Sequence, residues 1–429
     1  MKRLSLLILA ALLLASAVGQ NRPTLRYFSW NPTVTEIEEP LIEQFEERHG
    51  VDVQVEALPP DQYWPRMSAL AAAGQLPDVY YMSSGFIDTW QSDGLQANLQ
   101  PFVDETDLEE YYSGVLSTAR FPDKQDGDVY AWPINWVGAV LFYNMDAFDA
   151  AGVSYPDDDW TWDEFLEAAR ATTVDDNGDG RVDQYGFWLY GRYAQIEPWV
   201  FQNGGSLLNE ARTRVDPDEG AREALRFLSD LTNVHEVAPK PSDMEGVRQQ
   251  DVFPLGMAAM WVDGTWNIEN NRDITGDSFR WGITKVPRGP QGSEDIAYTW
   301  PDMLAISPTS QNSELAWELV KFLTGPERPA SLYLGGTVPF YRATAESEEW
   351  LERDNQPANK EVILELGGLP SRTSFTPSWG DWRGYAAAEG SGMNGELDQV
   401  FNGEQDIDAA IDGFVEYGNQ VLSRVYPTP

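Results

Sequence analysis

The alternation of two hydrophobic periods between residues 24 and 82 limits the fold more than any other feature of this chain. Thr24 to Trp30 reads as a strand, with Leu25, Tyr27 and Ser29 on one face, and Asn31-Pro32 breaks it. The following helix, to His49, places Leu41, Ile42 and Phe45 on one stripe and ends at Gly50, a C-cap residue. Val51, Val53 and Val55 alternate as a second strand. A helix over about Tyr63 to Ala73 stops at Gly74, and Pro77-Asp78 introduces a third strand, Val79 to Met82. Strand–helix–strand–helix–strand is the unit of a parallel, doubly wound sheet, so the expected fold class is α/β.

Further along, Val140 to Tyr143, Ala258 to Val262 and Met303 to Ser307 read as strands. Thr161 and Glu164 form a capping box that opens a helix through Phe165 and Ala169. A helix from about Ser313 to Leu323 is stopped by Gly325-Pro326. There is no internal repeat and no low-complexity linker. Two α/β lobes with interleaved connections fit this order better than successive independent domains.

The N-terminus indicates the compartment. Lys2 and Arg3 precede an apolar run, Leu4 to Ala15, and Ala15-Ser16-Ala17 has the small-x-small form of a cleavage site. Residues 1–19 therefore read as a signal peptide, and the run is short of the ~20 residues a spanning helix needs. No later stretch is long and apolar enough to cross a bilayer, so no stable membrane insertion is expected after cleavage. The chain has no cysteine, which removes disulfides and lipid attachment and leaves the fold to its hydrophobic core. A formal net charge of −40 repels nucleic acid and anionic lipid. The expected location is periplasmic or secreted.

Several chemistries lack their residues. His49 and His235 are the only histidines, so a histidine triad and a zinc site are poorly supplied. There is no phosphate-binding loop ending in Lys-Ser/Thr, no G-x-G-x-x-G after a strand and no G-x-S-x-G elbow. A glycosidase needs only two carboxylates, and 69 acidic residues keep that class open.

Five blocks carry a resemblance. Ala72-Ala73-Gly74-Gln75-Leu76-Pro77-Asp78-Val79 comes first, followed by Ala131-Trp132-Pro133-Ile134 with Leu141-Phe142-Tyr143-Asn144. Pro156 through Trp160-Thr161-Trp162-Asp163-Glu164-Phe165 is third, and Gly256-Met257-Ala258-Ala259-Met260 with Gly264-Thr265-Trp266 is fourth. Ala316-Trp317-Glu318-Leu319-Val320-Lys321-Phe322-Leu323 is the last. In this order, across nearly the whole chain, they resemble the bacterial extracellular solute-binding proteins of the maltose-binding type (family 1).

The resemblance implies a two-lobe, hinged type II periplasmic-binding-protein fold with the ligand in the cleft between lobes. It divides the chain into residues 20–135 with 297–335 as one lobe and 136–296 with 336–429 as the other. It implies a non-enzymatic, monomeric substrate-binding protein that delivers a carbohydrate, an oligosaccharide, to the permease subunits of an ABC importer, with no cofactor required. A secreted glycosidase or polysaccharide lyase, and a same-fold binder of a non-sugar solute such as a polyamine, are the alternatives.

A sugar offers flat C–H faces to aromatic rings and a rim of hydroxyls to Asp, Asn, Arg and Ser. On those grounds the candidate ligand residues are Trp30, Asn31, Ser83 and Ser84 at strand ends and Trp136 at the first lobe crossing. Asp263 and Trp266 follow the Ala-Met strand, with Trp266 at the stacking position that the resemblance implies; Trp300 and Asp302 lie at the second crossing, and Trp379 and Arg383 are in a C-terminal helix that resembles the family's last stacking element. Trp160, Trp162 and Trp317 read as packing residues. Val137 and Met82 stand where the maltose-binding pattern has a carboxylate and an aromatic, which argues against maltose itself.

A separate segment has the spacing of an EF-hand-like calcium loop: Asp175, Asn177, Asp179, the Arg181 carbonyl and Asp183, with Gly180 at the sharp turn. Gly186 replaces the bidentate Glu at its end, so a structural Ca²⁺ and a plain Asn/Gly-rich surface turn are both open readings.

Overall fold

The computed structural model describes residues 22–426 apart from 294, 335, 353–355 and 385–391. The signal-peptide reading of residues 1–19 lies outside the described residues. β1 (Thr24–Ser29), β2 (Asp52–Ala57) and β3 (Val79–Ser83) form where the short period appears, joined by helices Pro32–His49 and Pro60–Ala72. Asn31 caps the first helix by accepting from Val34 N–H at 3.1 Å. Gly50 ends it with φ +64°, a left-handed conformation that a residue with a Cβ adopts at a cost.

The strand expected at Val140–Tyr143 is the far end of a longer one, β4 (Trp132–Asn144, 13 residues). β5 (Met260–Gly264), β6 (Trp281–Thr284), β7 (Thr299–Ile306) and the short β8 (Val338–Pro339) complete the sheet system. The order is β8-β4-β7-β3-β1-β2, with β5 and β6 also on β4. β1 runs parallel to β2 and β3, as the periodicity requires. β7 runs antiparallel to both β3 and β4, so the sheet is mixed rather than wholly parallel. The cause is connectivity: β7 carries the chain back from the other lobe and must enter from the opposite end.

β4 belongs to both lobes. Trp132 to Gly138 pair with β7, whereas Ala139 to Asn144 pair with β5 and β6. The change of partners at Gly138 and Thr299 puts the crossing strands beneath the cleft. One buried cluster holds Leu25, Tyr27, Phe45, Trp132, Leu304 and Leu319 and continues along one face of β4 to Phe142, Trp261 and Trp281. The other packs Phe165, Trp199, Leu225 and Phe414 on the opposite face. Thr161 and Glu164 make both bonds of the capping box. Trp160, Trp162 and Trp317 are buried, as packing residues should be. Among the described residues no helix is long and apolar enough to cross a membrane.

Candidate functional site

Strand ends converge at the crossing. Trp30 and Asn31 follow β1, and Ser83 closes β3. Thr265 and Trp266 follow β5, and β7 begins with Thr299 and Trp300. Ser83 and Asn135 both pair with Asp302, forming a polar rung across three strands. Burial pushes the Asp302 carboxyl up to about 6, while a hydrogen bond from Asn135 works in the opposite direction. Such a rung offers donors and acceptors to a ring of hydroxyls.

Two sets of aromatic rings lie near the ends of the strands that carry it. On one side Trp266 meets Trp300 at 4.9 Å between ring centres, and Tyr193 meets Trp300 at 5.6 Å and Trp379 at 5.2 Å. The Arg192 guanidinium lies 5.3 Å from the Trp266 ring centre and 5.6 Å from that of Tyr193. In the first lobe Trp30 meets Tyr81 at 5.1 Å and Trp64 at 5.6 Å, and Trp64 meets Phe86 at 4.3 Å. Phe86 is 43% exposed. The two sets approach at Gly85, where a Cβ would stand 3.5 Å from the Trp379 ring. Ser378 N–H donates to Thr89 Oγ1 nearby at 3.4 Å.

Two glycines shape this wall. The Trp266 ring folds back over its own strand, so a Cβ on Gly264 would sit 1.9 Å from it. Gly336 has φ +76° and lies so close to Thr265 that a Cβ would meet the Thr265 carbonyl at 2.2 Å. Neither position has room for a side chain without displacing the segment that holds Trp266.

Of the residues expected from sequence, Trp30, Ser83, Trp266, Trp300, Asp302 and Trp379 stand half-buried at the cleft. Asn31 is there too, with its amide oxygen engaged as a helix cap. Four expectations are corrected. Trp136 is fully buried against Tyr112, because β4 alternates and sends Trp132, Ile134 and Trp136 into the core. Ser84 is buried in the turn after β3. Asp263 is fully buried on β5, accepting from Gly264 N–H at 2.7 Å and Gln195 Nε2 at 3.4 Å. Burial raises its carboxyl pKa, with the Arg192 charge opposing. Arg383 is fully buried, 3.5 Å from the Glu197 carboxylate.

Sequence reasoning missed Asn135, Arg192, Tyr193, Trp64 and Phe86. Counting in twos along β4 finds Asn135 once Trp136 is placed inside, although a register shift between Pro133 and Asn135 blurs the count. Nothing local marks Tyr193.

A separate void of about 800 Å³ lies between Ser117 and Asp123–Gln125 on one side and Asn209, Arg212 and Ser371–Thr373 on the other. Two of its cations are already engaged: Arg212 donates to the Thr373 and Phe375 carbonyls, and Lys124 to the Thr118 and Arg120 carbonyls and to Asp88. It lacks the paired aromatic faces of the cleft, so size alone does not make it the ligand site. In the 175–183 loop, Asp175 accepts from the Gly178, Asp179 and Gly180 N–H groups, and Asp183 accepts from those of Asp176 and Asn177. Among the described residues no three acidic or histidine side chains gather as a metal site.

The family described as bacterial extracellular solute-binding protein matches residues 31–328. A protein of Brucella abortus (strain 2308), named as a binding protein without a ligand, is 24% identical over 383 residues, covering 88% of this chain and 87% of that one. The sn-glycerol-3-phosphate-binding periplasmic protein UgpB of Agrobacterium fabrum is 24% identical over 337 residues, covering 74% and 71%. The structure of the sugar-binding protein MalE from Xanthomonas citri superimposes with a TM-score of 0.78, at 22% identity, covering 94% of this chain and 98% of that one. That likeness is one of fold: two hinged lobes of the type II periplasmic binding proteins.

Proposed function

Because this chain belongs to the bacterial extracellular solute-binding proteins, we propose that it captures a neutral oligosaccharide between its lobes and delivers it to the permease subunits of an ABC importer. In this reading the signal peptide is removed and the mature protein acts as a monomer outside the cytoplasm. The observation that carries the proposal is the Trp266–Trp300–Tyr193–Trp379 wall facing Trp30, Trp64 and Phe86 over the Ser83–Asp302–Asn135 rung. Flat faces on two sides and hydroxyl partners at the floor match a sugar chain.

UgpB suggests the competing ligand, a glycerol phosphate. A phosphate dianion needs several donors of positive charge. Of the cleft residues named above, the cation is Arg192, and the Asp302 carboxyl stands in the same cleft. That balance favours a neutral solute. The family binds solutes rather than transforming them, and no glycoside turnover is expected. Sugar release that scales with protein and disappears on changing Asp302 would move the chain to the glycosidase reading.

A thermal-shift screen against mono- and oligosaccharides, sn-glycerol 3-phosphate and spermidine tests the proposal. A ligand at about 100 times its Kd adds about 2.7 kcal/mol of stability. Stabilisation by glycerol phosphate or spermidine alone, with no response to any sugar, would replace the oligosaccharide with a charged solute.

A further inference from the structure

We infer that the buried Glu197–Arg383 pair is a positioning device: it sets the spacing of Tyr193 and Trp379 and so the ligand selectivity of the cleft. The inference rests on the oligosaccharide reading for its ligand, though not for its geometry.

Glu197 lies on helix Tyr193–Gln202 and Arg383 on helix Trp379–Arg383. Each is four residues beyond a cleft aromatic, Tyr193 in one case and Trp379 in the other, so each lies one turn below it on the same helix face. The two rings meet edge to face, 5.2 Å apart at 81°. Below them the carboxylate and guanidinium stand 3.5 Å apart, both at 0% exposure. Tyr298 completes the arrangement. Its ring touches Trp300 at 4.8 Å and Tyr193 at 6.3 Å, and burial followed by the Glu197 charge raises its hydroxyl pKa. Tyr193 and Trp379 are thus carried by the two helices of the pair, and Trp300 contacts both Tyr193 and Tyr298.

Stability does not account for the pair. A buried ion pair repays its desolvation only when the remaining donors and acceptors are also satisfied. Among the described residues, both Glu197 oxygens, and Nε and Nη2 of Arg383, close no hydrogen bond of ordinary length, although the Tyr298 hydroxyl interacts with the carboxylate. The Met393 sulfur lies against the remaining nitrogen. A Leu–Met pair of similar volume would suit such a site better on energetic grounds. What the charges provide is one preferred register between two helices from distant parts of the chain, with the ligand's aromatic faces mounted on them.

Glu197→Leu combined with Arg383→Met removes both charges together. The double variant should show a melting temperature equal to or above wild type, a changed near-UV circular dichroism band from the coupled aromatics, and about a tenfold loss of affinity for the tightest binder among maltotriose, raffinose and cellotriose. Glu197→Gln keeps the volume and serves if the double variant does not fold; it should show the same dichroism change and a loss of several-fold. Retained folding with an unchanged dichroism band and unchanged affinity would overturn the inference and leave the pair a packing feature. If wild type binds none of the three sugars, the oligosaccharide reading suffers, and the ligand-free dichroism of the two variants still decides this one.

Discussion

The two aromatic walls of the cleft are built by opposite means. Trp30, Trp64 and Phe86 come from one continuous stretch, at the turns of a strand–helix–strand–helix–strand unit, and pack on each other and on Tyr63 and Tyr81. Tyr193, Trp266, Trp300 and Trp379 come from four separate segments and meet only because the lobe folds around them. The first wall is a local product with neighbours to spare. The second is an assembly in which each ring depends on a remote partner. A substitution in the first wall should stay local, and one in the second should spread.

The largest effect should come from a residue that faces neither wall. Trp136→Ala should destabilise the fold by about 3–5 kcal/mol, because it leaves a cavity beside Tyr112 and Leu366. Urea unfolding and calorimetric titration on the same protein separate stability from binding. Weak binding at full stability would return Trp136 to the site.

Next come the second-wall variants. Trp266→Ala should weaken sugar binding by about 1–3 kcal/mol, on the scale of aromatic stacking with nucleobases, and move the melting temperature of the ligand-free protein little. Gly264→Ala should reproduce most of that loss, since its methyl group occupies the space of the Trp266 ring. Wild-type affinity in Gly264→Ala would show that the ring shifts without consequence, and the idea of a coupled wall would fail.

The first wall should respond less. Phe86 is largely exposed and backed by Trp64, so Phe86→Ala should cost under about 1 kcal/mol, confined to longer oligosaccharides. A loss exceeding that of Trp266→Ala would reverse the comparison.

The rung between the walls predicts a pH dependence. The Asp302 carboxyl is raised from 3.8 to about 6 in the folded protein, so the native state holds its proton more tightly than the unfolded chain. Its contribution to stability is therefore greatest below about pH 4 and falls as pH rises through 6. Asp263 shifts in the same direction. If the carboxylate accepts from sugar hydroxyls, affinity should increase over the same interval. Asp302→Asn should flatten both profiles; an unchanged affinity profile in that variant would remove Asp302 from the ligand. The smallest effect belongs to the 175–183 loop, whose carboxylates already accept from backbone N–H groups. Ca²⁺ added to metal-stripped protein should leave its melting temperature unchanged, and a rise abolished by Asp179→Ala would place an ion there.

The amino-acid sequence by itself determined the α/β class, the first three strands and their helices, the Thr161 capping box and the strand-end position of Trp266. Each of these depends on periodicity or capping within a few residues. Only the tertiary structure decided which polar and aromatic groups face the ligand. Trp136 and Asn135 are adjacent, and the inside–outside choice between them turns on the β4 register against β7. Arg383 reads as a ligand residue until the helix bearing Glu197 covers it. Tyr193 carries no signature, because its place beside Trp379 depends on how two helices from distant parts of the chain pack, and a pattern along the chain holds no record of that distance.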